Sequence, residues 1–164
     1  MFSVFKNINN LANKSKILDG IAIFCAKYLL YLMIAFVLIF AVIVQSQSLF
    51  ILPLLSGLFA AFVGNKIIYI FYKEKRPAAF AKTKILIPVP KNPSFPSRHA
   101  SLVFGMSFYL FLYNIPLAII FVVLSCLVGV ARVFCGVHWF RDIVAGVLVG
   151  FVSVIIVHAL INCL

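Results

Sequence analysis

The sequence has very little negative charge: only three of its 164 residues are acidic, namely Asp19, Glu74 and Asp142. A hydrolytic site built on two metal ions needs several ligating side chains at one place, and the carboxylates here are too few to supply them. The four cysteines include no CxxC pair and no cluster with zinc-ligand spacing, so we predict neither a zinc site nor a disulfide framework. We therefore expect a protein that uses no metal ion and no other cofactor.

Charged residues of either sign are also scarce, which excludes an ordinary water-soluble domain. The chain is 65% hydrophobic and only 10% charged, whereas soluble domains are about 45–50% apolar and about 25% charged. Its mean hydropathy of +1.21 predicts an integral membrane protein in contact with the lipid bilayer. Nucleic acid is not expected as a partner, because almost no water-facing domain remains to bind it. The length suits a single domain over residues 1–164, and the oligomeric state is left open.

Long apolar runs are what the sequence does have. They cover residues 21–44, 49–72, 97–113, 116–134 and 143–164, and about 20 helical residues cross a bilayer. Five of the seven prolines lie between Pro77 and Pro96, which excludes a regular spanning helix in that segment. Residues 1–19 have apolar side chains near helical spacing and predict a short helix in the membrane interface, with a loosely ordered tail as the alternative. The expected fold is all-α: an integral membrane bundle of about five transmembrane helices.

Three polar clusters separate these runs, at residues 73–77, 93–99 and 132–142. Because successive spans reverse direction, the five-span arrangement puts all three clusters on one face of the membrane, together with the N-terminus. The chain carries a net charge of +11, and its basic residues are concentrated in these clusters and near the N-terminus. Such clustering indicates a polar membrane face or an anionic ligand.

The third cluster contains the most chemistry. A charged side chain at the centre of a span costs at least about 2.5–3.5 kcal/mol, so a cluster beside apolar runs lies at an interface or has a function. His138 and Asp142 are four residues apart and share a face if they are helical. The carboxylate then holds one ring nitrogen protonated and leaves the other free as a nucleophile or base. The planar fork of Arg132 suits phosphate oxygens. The alternative is a basic loop that contacts lipid headgroups and holds a structural histidine.

The second cluster predicts a phosphate cradle. Ser97 follows two prolines and precedes an apolar helical run, so it is a natural N-cap. The helix start behind it presents free N–H groups and the positive end of the helix dipole. His99, in the first turn, can give a proton to a leaving oxygen, although an interfacial histidine near a cap is the alternative. Arg76 and Arg132 would supply the positive charge that a phosphate ester needs.

Together the three clusters resemble the type 2 phosphatidic acid phosphatase superfamily of membrane lipid phosphatases. That family has a Lys, six residues and Arg-Pro; then Pro-Ser-x-His; then Ser-Arg, five residues, His, three residues and Asp. The matching segments are Arg76-Pro77, Pro96-Ser97-Arg98-His99 and Arg132…His138…Asp142, in a resemblance that covers residues 49–164. It implies that His138 attacks phosphorus and forms a phosphohistidine, that Asp142 orients it, that His99 is the acid, and that no metal takes part.

A narrower resemblance concerns residues 92–100 and Gly136-Val137-His138, which look like the undecaprenyl-diphosphate phosphatase branch that includes bacitracin-resistance proteins. This implies hydrolysis of undecaprenyl diphosphate to undecaprenyl phosphate and inorganic phosphate, in support of peptidoglycan and cell-wall biosynthesis. Two alternatives stay open. The substrate can be phosphatidylglycerophosphate, phosphatidic acid or lipid A, as elsewhere in the superfamily, or the protein can be a catalytically inactive binder of anionic lipid.

The sequence departs from the family pattern at three positions. Tyr69 stands where the family has its lysine, and Lys66 and Lys73 are the candidates to replace that lysine at the phosphate. Ala131 stands where the family has a serine. Arg98 stands where the narrower branch has an acidic residue, and we expect it either to hold a second phosphate or to be a surface arginine.

Two further interpretations concern aromatic and histidine side chains outside this pattern. We interpret Trp139, Phe140, Tyr69 and Tyr72 as residues of an interfacial aromatic belt. His158 lies deep in the last run, toward the opposite face, and is expected to pack or to make a local hydrogen bond.

Two arguments about orientation disagree. The turns on the opposite face contain no basic residue, so the positive-inside rule places the three clusters in the cytoplasm. The family resemblance implies instead the outer face of the cytoplasmic membrane, where spent carrier lipid is generated. We expect the outer face, because a phosphate site and anionic headgroups account for much of the positive charge. Lys6, Lys14 and Lys16 are not explained in this way.

Overall fold

The computed structural model describes residues 2–45 and 48–163 as a bundle of helices, with no strand in these two segments. Residues 46 and 47, which lie between the first two apolar runs in the sequence, are outside the described residues, as are the two terminal residues. The helices are α1 (Phe2–Asn9), α2 (Lys16–Lys27), α3 (Leu29–Val44), α4 (Ser48–Leu58), α5 (Asn65–Phe71), α6 (Arg98–Leu110), α7 (Ile115–Phe134) and α8 (Phe140–Asn162). A π-helical segment, Phe59–Gly64, joins α4 to α5, and a 3-10 turn covers Pro77–Ala79.

The prediction of an all-helical integral membrane protein is confirmed. Among the described residues, three helical segments are long and apolar enough to cross a membrane, namely Ile51–Phe71, α7 and α8. Helices α2 and α3 form a fourth if they are counted as one bent span. The third predicted run is helical only from Arg98 to Leu110, and thirteen residues rise only about 20 Å. The count of five spans therefore stays a prediction.

Helix α6 lies at the centre of the bundle and packs against α4, α7 and α8. Small residues make this close packing possible. A Cβ added at Gly150 of α8 would lie only 2.8 Å from the backbone nitrogen of Gly105 in α6. The same two helices meet at the polar end of the bundle, where the Ser97 N–H donates to the Asp142 carbonyl at 3.0 Å. The packing of α6 on α8 thus brings the second and third clusters together.

The first apolar run is not one straight helix. It breaks at Tyr28, between α2 and α3, and the two helices are bent by 50°. The sequence did not predict this bend in the run over residues 21–44, because neither proline nor glycine marks the break. A helix end leaves carbonyl groups without intrahelical partners. One carbonyl in the last turn of α2, that of Ala26, accepts a hydrogen bond from Arg132 Nη1 at 3.2 Å.

The N-terminal residues form the short helix α1, as predicted, and not a loosely ordered tail. One side of α1 packs on the protein, since Phe5 and Asn9 are only 5% and 3% exposed. The Asn9 amide nitrogen donates to the carbonyls of Lys84 and Phe134, both at 2.8 Å, and its oxygen accepts from the Lys84 N–H at 3.0 Å. Helix α1 therefore connects the proline-rich segment between Pro77 and Pro96, which contains Lys84, to the end of α7.

Candidate active site

The connection between α7 and α8 forms one wall of the site. It covers residues 135–139 and contains His138, which is 1% exposed. The chain turns at Gly136, which has a φ of +75°, and a Cβ at this position would overlap the Lys84 carbonyl oxygen. Only glycine fits both the backbone angle and the contact. This turn delivers His138 to the polar end of α8.

Asp142 orients the His138 ring. His138 Nδ1 lies 3.1 Å from Asp142 Oδ2, and the same oxygen accepts from the Trp139 N–H at 2.9 Å and from Ser94 Oγ at 2.5 Å. The sequence predicted the pairing of His138 with Asp142, and the structure contains it. A shared helix face is not its cause, because His138 precedes α8 and the carboxylate reaches back from the first turn of that helix.

Arg76 lies on the other side of the same imidazole. Its Nη1 is 3.0 Å from His138 Nε2 and donates to the Val137 carbonyl at 2.7 Å. A carboxylate only accepts and a guanidinium only donates, so Nδ1 carries the ring proton and Nε2 has the free lone pair. Burial, and then the Arg132 and Arg76 guanidinium groups, hold the pKa of His138 well below its usual range. The geometry therefore presents an unprotonated ring nitrogen to a cation.

Arg132 is a buried cation with free hydrogen-bond donors. It lies in the last turn of α7 and is 4% exposed. Its Nη1 is bound to the Ala26 carbonyl, whereas Nε and Nη2 have no hydrogen-bond partner among the described residues. A buried charged donor without an acceptor is costly, and a planar pair of such donors matches two oxygens of a phosphate. Arg132 therefore has the features of an anion-binding side chain.

The second cluster contributes the start of α6 to the site. Ser97 is the N-cap of α6, as predicted, and its side chain accepts from the Ala100 N–H at 3.5 Å. His99 follows in the first turn of α6, where burial, and then the nearby Arg132 guanidinium, lower its pKa to about 2. The structure thus brings residues of all three clusters to one place.

The sequence profile of the PAP2 superfamily matches residues 50–163, which is most of the chain. The chain belongs to the PAP2 superfamily. It is therefore a phosphatase that acts on lipid phosphates, and its apolar helices agree with the membrane location of its relatives. Helices α1 to α3 lie before the matched region.

Curated PAP2 relatives are similar over most of the chain. The undecaprenyl-diphosphatase of Sulfolobus acidocaldarius is 31% identical over 150 residues, which are 90% of this chain and 71% of that protein. The bacitracin transport permease protein BcrC of Bacillus licheniformis is 28% identical, over 93% of this chain and 76% of that protein. Undecaprenyl-diphosphatase BcrC of Bacillus subtilis is 27% identical, over 92% and 79%. The predicted resemblance to this branch is confirmed.

Two solved PAP2 structures share the fold. LpxE of Aquifex aeolicus superposes with a TM-score of 0.72 at 23% identity, over 96% of this chain and 94% of that one. A phosphatidylglycerolphosphate phosphatase of the PAP2 type from Bacillus subtilis gives a TM-score of 0.66 at 21% identity, over 99% and 86%. At this identity the two structures establish the helical arrangement alone.

The basic residues predicted to bind phosphate differ in how deeply they are buried. Arg76 and Arg132 are buried in the site, and Arg98 is partly buried, with its Nη2 3.1 Å from Asn92 Oδ1. Lys66 and Lys73 are both exposed, and neither forms a hydrogen bond to a site residue in the described part of the chain. Lys73 only lines a surface depression beside Arg76. The structure therefore supplies no contact by which either lysine would reach the phosphate.

Four site residues were missed or misread from the sequence. Ser94 is fully buried and binds the Asp142 carboxylate, and Asn92 contacts the side chains of Arg76 and Arg98. Tyr69 is not simply a belt residue, because its hydroxyl donates to the Pro96 carbonyl at 2.8 Å. Asn9 supports the end of α7 from the N-terminal helix. The only sequence signal for Ser94 was that it is a small polar residue between two prolines. Asn92, Tyr69 and Asn9 gave no such signal, because their contacts are with residues distant in the sequence.

The remaining polar interpretations can also be compared with the structure. Arg141 of the third cluster forms an ion pair with Glu74 of the first, so two of the clusters are joined by charge as well as by packing. In the described part of the chain, His158 Nδ1 lies 3.5 Å from Tyr109 Oη of α6, and its Nε2 lies 3.0 Å from Asn162 Nδ2 one turn along α8. These contacts agree with the expected packing or local hydrogen bond.

Proposed function

We propose that this PAP2 phosphatase hydrolyses undecaprenyl diphosphate to undecaprenyl phosphate and inorganic phosphate. Three curated relatives carry undecaprenyl-diphosphatase or bacitracin names and match at least 90% of this chain. The reaction would return spent carrier lipid to peptidoglycan and cell-wall biosynthesis. No step is expected to need a metal ion, because two buried arginines and the start of α6 supply the positive charge.

The observation that carries the proposed mechanism is the pair of contacts on the His138 ring. Asp142 fixes the proton on Nδ1, and the lone pair on Nε2 points at the Arg76 guanidinium, where a phosphate oxygen would bind. When phosphate binds, Arg76 exchanges the ring nitrogen for phosphate oxygens. Nε2 is then free to attack the terminal phosphorus. A nitrogen–phosphorus bond forms as the bond from phosphorus to the bridging oxygen breaks.

The leaving group is undecaprenyl phosphate, which departs with the bridging oxygen and its electron pair. His99, in the first turn of α6, would take up a proton once bound phosphate offsets the arginine charges that lower its pKa, and would donate that proton to this oxygen. The free donors of Arg132 would stabilise the charge on the transferred phosphoryl group. Water then cleaves the nitrogen–phosphorus bond of the phosphohistidine, which releases inorganic phosphate and restores the imidazole.

Arg98 is proposed to bind the phosphate that stays on the lipid. It adjoins the N-cap of α6 and lies beside Arg76 through their common partner Asn92. Replacing Arg98 by Ala should raise KM for diphosphate lipids more than for monophosphate lipids. Equal increases for both would reduce Arg98 to a general electrostatic role.

The substrate is tested with purified protein, undecaprenyl diphosphate and a chelator in place of divalent metal, with inorganic phosphate as the readout. His138→Ala should abolish release, whereas His158→Ala, which removes a histidine outside the site, should leave it nearly unchanged. Release only from phosphatidic acid or phosphatidylglycerophosphate would overturn the diphosphate substrate. Turnover that appears only when metal is added would overturn the metal-free mechanism. The absence of turnover on every lipid would favour the inactive lipid-binding alternative.

We further propose that the site opens to the outer face of the cytoplasmic membrane. Single cysteines in a cysteine-free variant, probed on intact cells with a membrane-impermeant thiol reagent, test this orientation. Ala81 and Leu112 are exposed positions, and the proposed arrangement of spans places them on opposite faces of the membrane. Labelling at position 81 with protection at position 112 supports the proposal, and the reverse pattern places the site in the cytoplasm.

A further inference from the structure

Two cationic side chains of the site meet at one neutral oxygen. Arg76 Nη2 lies 3.3 Å from Asn92 Oδ1, and Arg98 Nη2 lies 3.1 Å from the same atom. The distance between the two Nη2 atoms is therefore at most the sum of these two distances. Two guanidinium groups at this separation repel each other, and a neutral amide oxygen does not balance two positive charges. The pair is therefore arranged for an anion that contacts both groups.

The Asn92 amide is itself held in one orientation. Its Nδ2 donates to the Tyr69 hydroxyl and to the Pro93 carbonyl, both at 3.3 Å, and that hydroxyl donates onward to the Pro96 carbonyl at 2.8 Å. Because Nδ2 faces these acceptors, Oδ1 must face the two arginines. Tyr69 belongs to α5, which is part of the spanning segment Ile51–Phe71. This segment therefore holds the Asn92 amide in place, and the amide in turn holds the two guanidinium groups.

The two arginines differ in what else holds them. Arg76 also donates through Nε to the Asn92 backbone carbonyl at 3.1 Å, through Nη2 to the Pro93 carbonyl at 3.1 Å and through Nη1 to Val137. The one hydrogen bond that the Arg98 side chain forms within the described segments is the bond to Asn92. Loss of the Asn92 side chain would therefore release Arg98 and leave Arg76 largely in place.

We propose that Asn92 is a positioning residue that fixes Arg98 relative to Arg76 and thereby gives the site its preference for an anion with two phosphates over an anion with one. The proposal rests on the proposed function only in that Arg76 binds the phosphate that is transferred. Asn92 contacts no reacting atom in this scheme and acts through Arg98. Tyr69 acts one step further back, through the orientation of the amide.

The experiment compares inorganic pyrophosphate with inorganic phosphate as inhibitors of whichever lipid phosphatase reaction the purified protein performs. The variants are Asn92→Ala, Asn92→Asp, Arg98→Ala and the Asn92→Ala/Arg98→Ala double variant. Lys91→Ala is the matched control, because it removes an exposed charge next to Asn92 in sequence. Thermal unfolding of each variant in detergent shows which proteins are folded well enough to compare.

Asn92→Ala should raise the inhibition constant of pyrophosphate about tenfold, as expected for one lost charge-assisted contact, and that of phosphate much less. In the Arg98→Ala background it should add little, because its effect passes through Arg98. Asn92→Asp keeps the shape and the acceptor, but its negative charge offsets one of the two positive charges. It should therefore weaken both inhibitors more than Asn92→Ala does. Lys91→Ala should leave the ratio of the two constants unchanged.

A purely structural role for Asn92 predicts different results. Asn92→Ala would then raise both inhibition constants by the same factor, Asn92→Asp would restore them, and the effects of Asn92→Ala and Arg98→Ala would add. Any of these three outcomes overturns the proposal. Because the inhibitors are inorganic, the result is independent of the substrate: an enzyme that hydrolyses only monophosphate lipids would refute the proposed function and still test the role of Asn92.

Discussion

The Asn9 amide connects three distant segments of the chain, and its removal is the sharpest test of the support that helix α1 gives to the site. Asn9→Ala deletes both donor bonds, to the Lys84 and Phe134 carbonyls, and the bond accepted from the Lys84 N–H. All three lie at 2.8–3.0 Å, and Asn9 is 3% exposed. The truncation therefore leaves backbone groups in a poorly hydrated position without partners.

The magnitude follows from these bonds. Each hydrogen bond contributes about 0.5–1.5 kcal/mol net, and a buried group left without a partner costs about 1–3 kcal/mol. Alanine regains about 0.5 kcal/mol because it favours the helix more than asparagine does. We expect Asn9→Ala to lower the free energy of unfolding by about 2–4 kcal/mol. Asn7→Ala is the matched control, since Asn7 lies on the same helix and is exposed, and it should change stability by no more than about 0.5 kcal/mol.

Trp139 makes the assay specific. It is the only tryptophan in the chain, it follows His138 directly, and its ring lies 4.8 Å from that of Phe5 in α1. Its fluorescence therefore reports whether α1 stays docked on the connection that contains His138. Asn9→Ala should change the emission and lower kcat more than it raises KM, because Asn9 supports the loop and contacts no residue that is proposed to bind phosphate.

The reasoning fails if Asn9→Ala and Asn7→Ala have the same stability, emission and kcat. Helix α1 would then be an appendage, and the loop would be held by α7 and α8 alone. A loss of stability with unchanged emission and kcat would show that the amide stabilises the fold but does not position His138.

Three further predictions concern the same loop. Gly136→Ala should destabilise the protein by at least about 2 kcal/mol, because it combines a left-handed backbone with a clash on the Lys84 carbonyl. Thermal unfolding measures this, with Gly20→Ala as the control: it adds a Cβ in open space within α2 and should leave stability unchanged or raise it by up to about 1 kcal/mol. The pKa of His138 lies well below its usual range, whereas an ordinary imidazole titrates near about 6.5. Lowering the pH to about 6 should therefore not reduce kcat/KM through protonation of this ring. A fall in kcat/KM with a midpoint near about 6.5, the same for substrates whose phosphates differ in pKa, would contradict this. Asp142→Asn should lower kcat by about 10⁴-fold, by analogy with other carboxylates that fix a histidine tautomer, and a loss below about tenfold would remove Asp142 from this role.

The site could be predicted from the sequence wherever its residues act through local geometry. Ser97 caps α6 because of the residues that immediately flank it, and His138 and Asp142 are close because only three residues separate them. Arg132 was identified because charges next to apolar runs are expensive, and Arg76 because Arg76-Pro77 matches the family pattern. These signals need no knowledge of the tertiary fold.

The parts that escaped prediction depend on long-range contacts. Asn9 and Phe134 are 125 positions apart, and Tyr69 meets Pro96 across 27. No periodicity or spacing encodes such pairs. The bend at Tyr28 has the same origin, because the apolar sequence around it suits a straight helix and only the packed bundle shows where that helix breaks.

The short length of α6 has a consequence for the solvation of the backbone. The hydrocarbon core of a bilayer is about 30 Å thick, so a helix of about 20 Å leaves part of that depth to irregular chain, whose carbonyls need donors from protein or water. Arg76 donates to the carbonyls of Asn92 and Pro93, and Tyr69 donates to that of Pro96, all in the segment that leads into α6. The guanidinium proposed to bind phosphate thus also takes the place of water for two peptide groups. A substitution of Arg76 would leave those carbonyls unsolvated even in a protein that never meets a substrate.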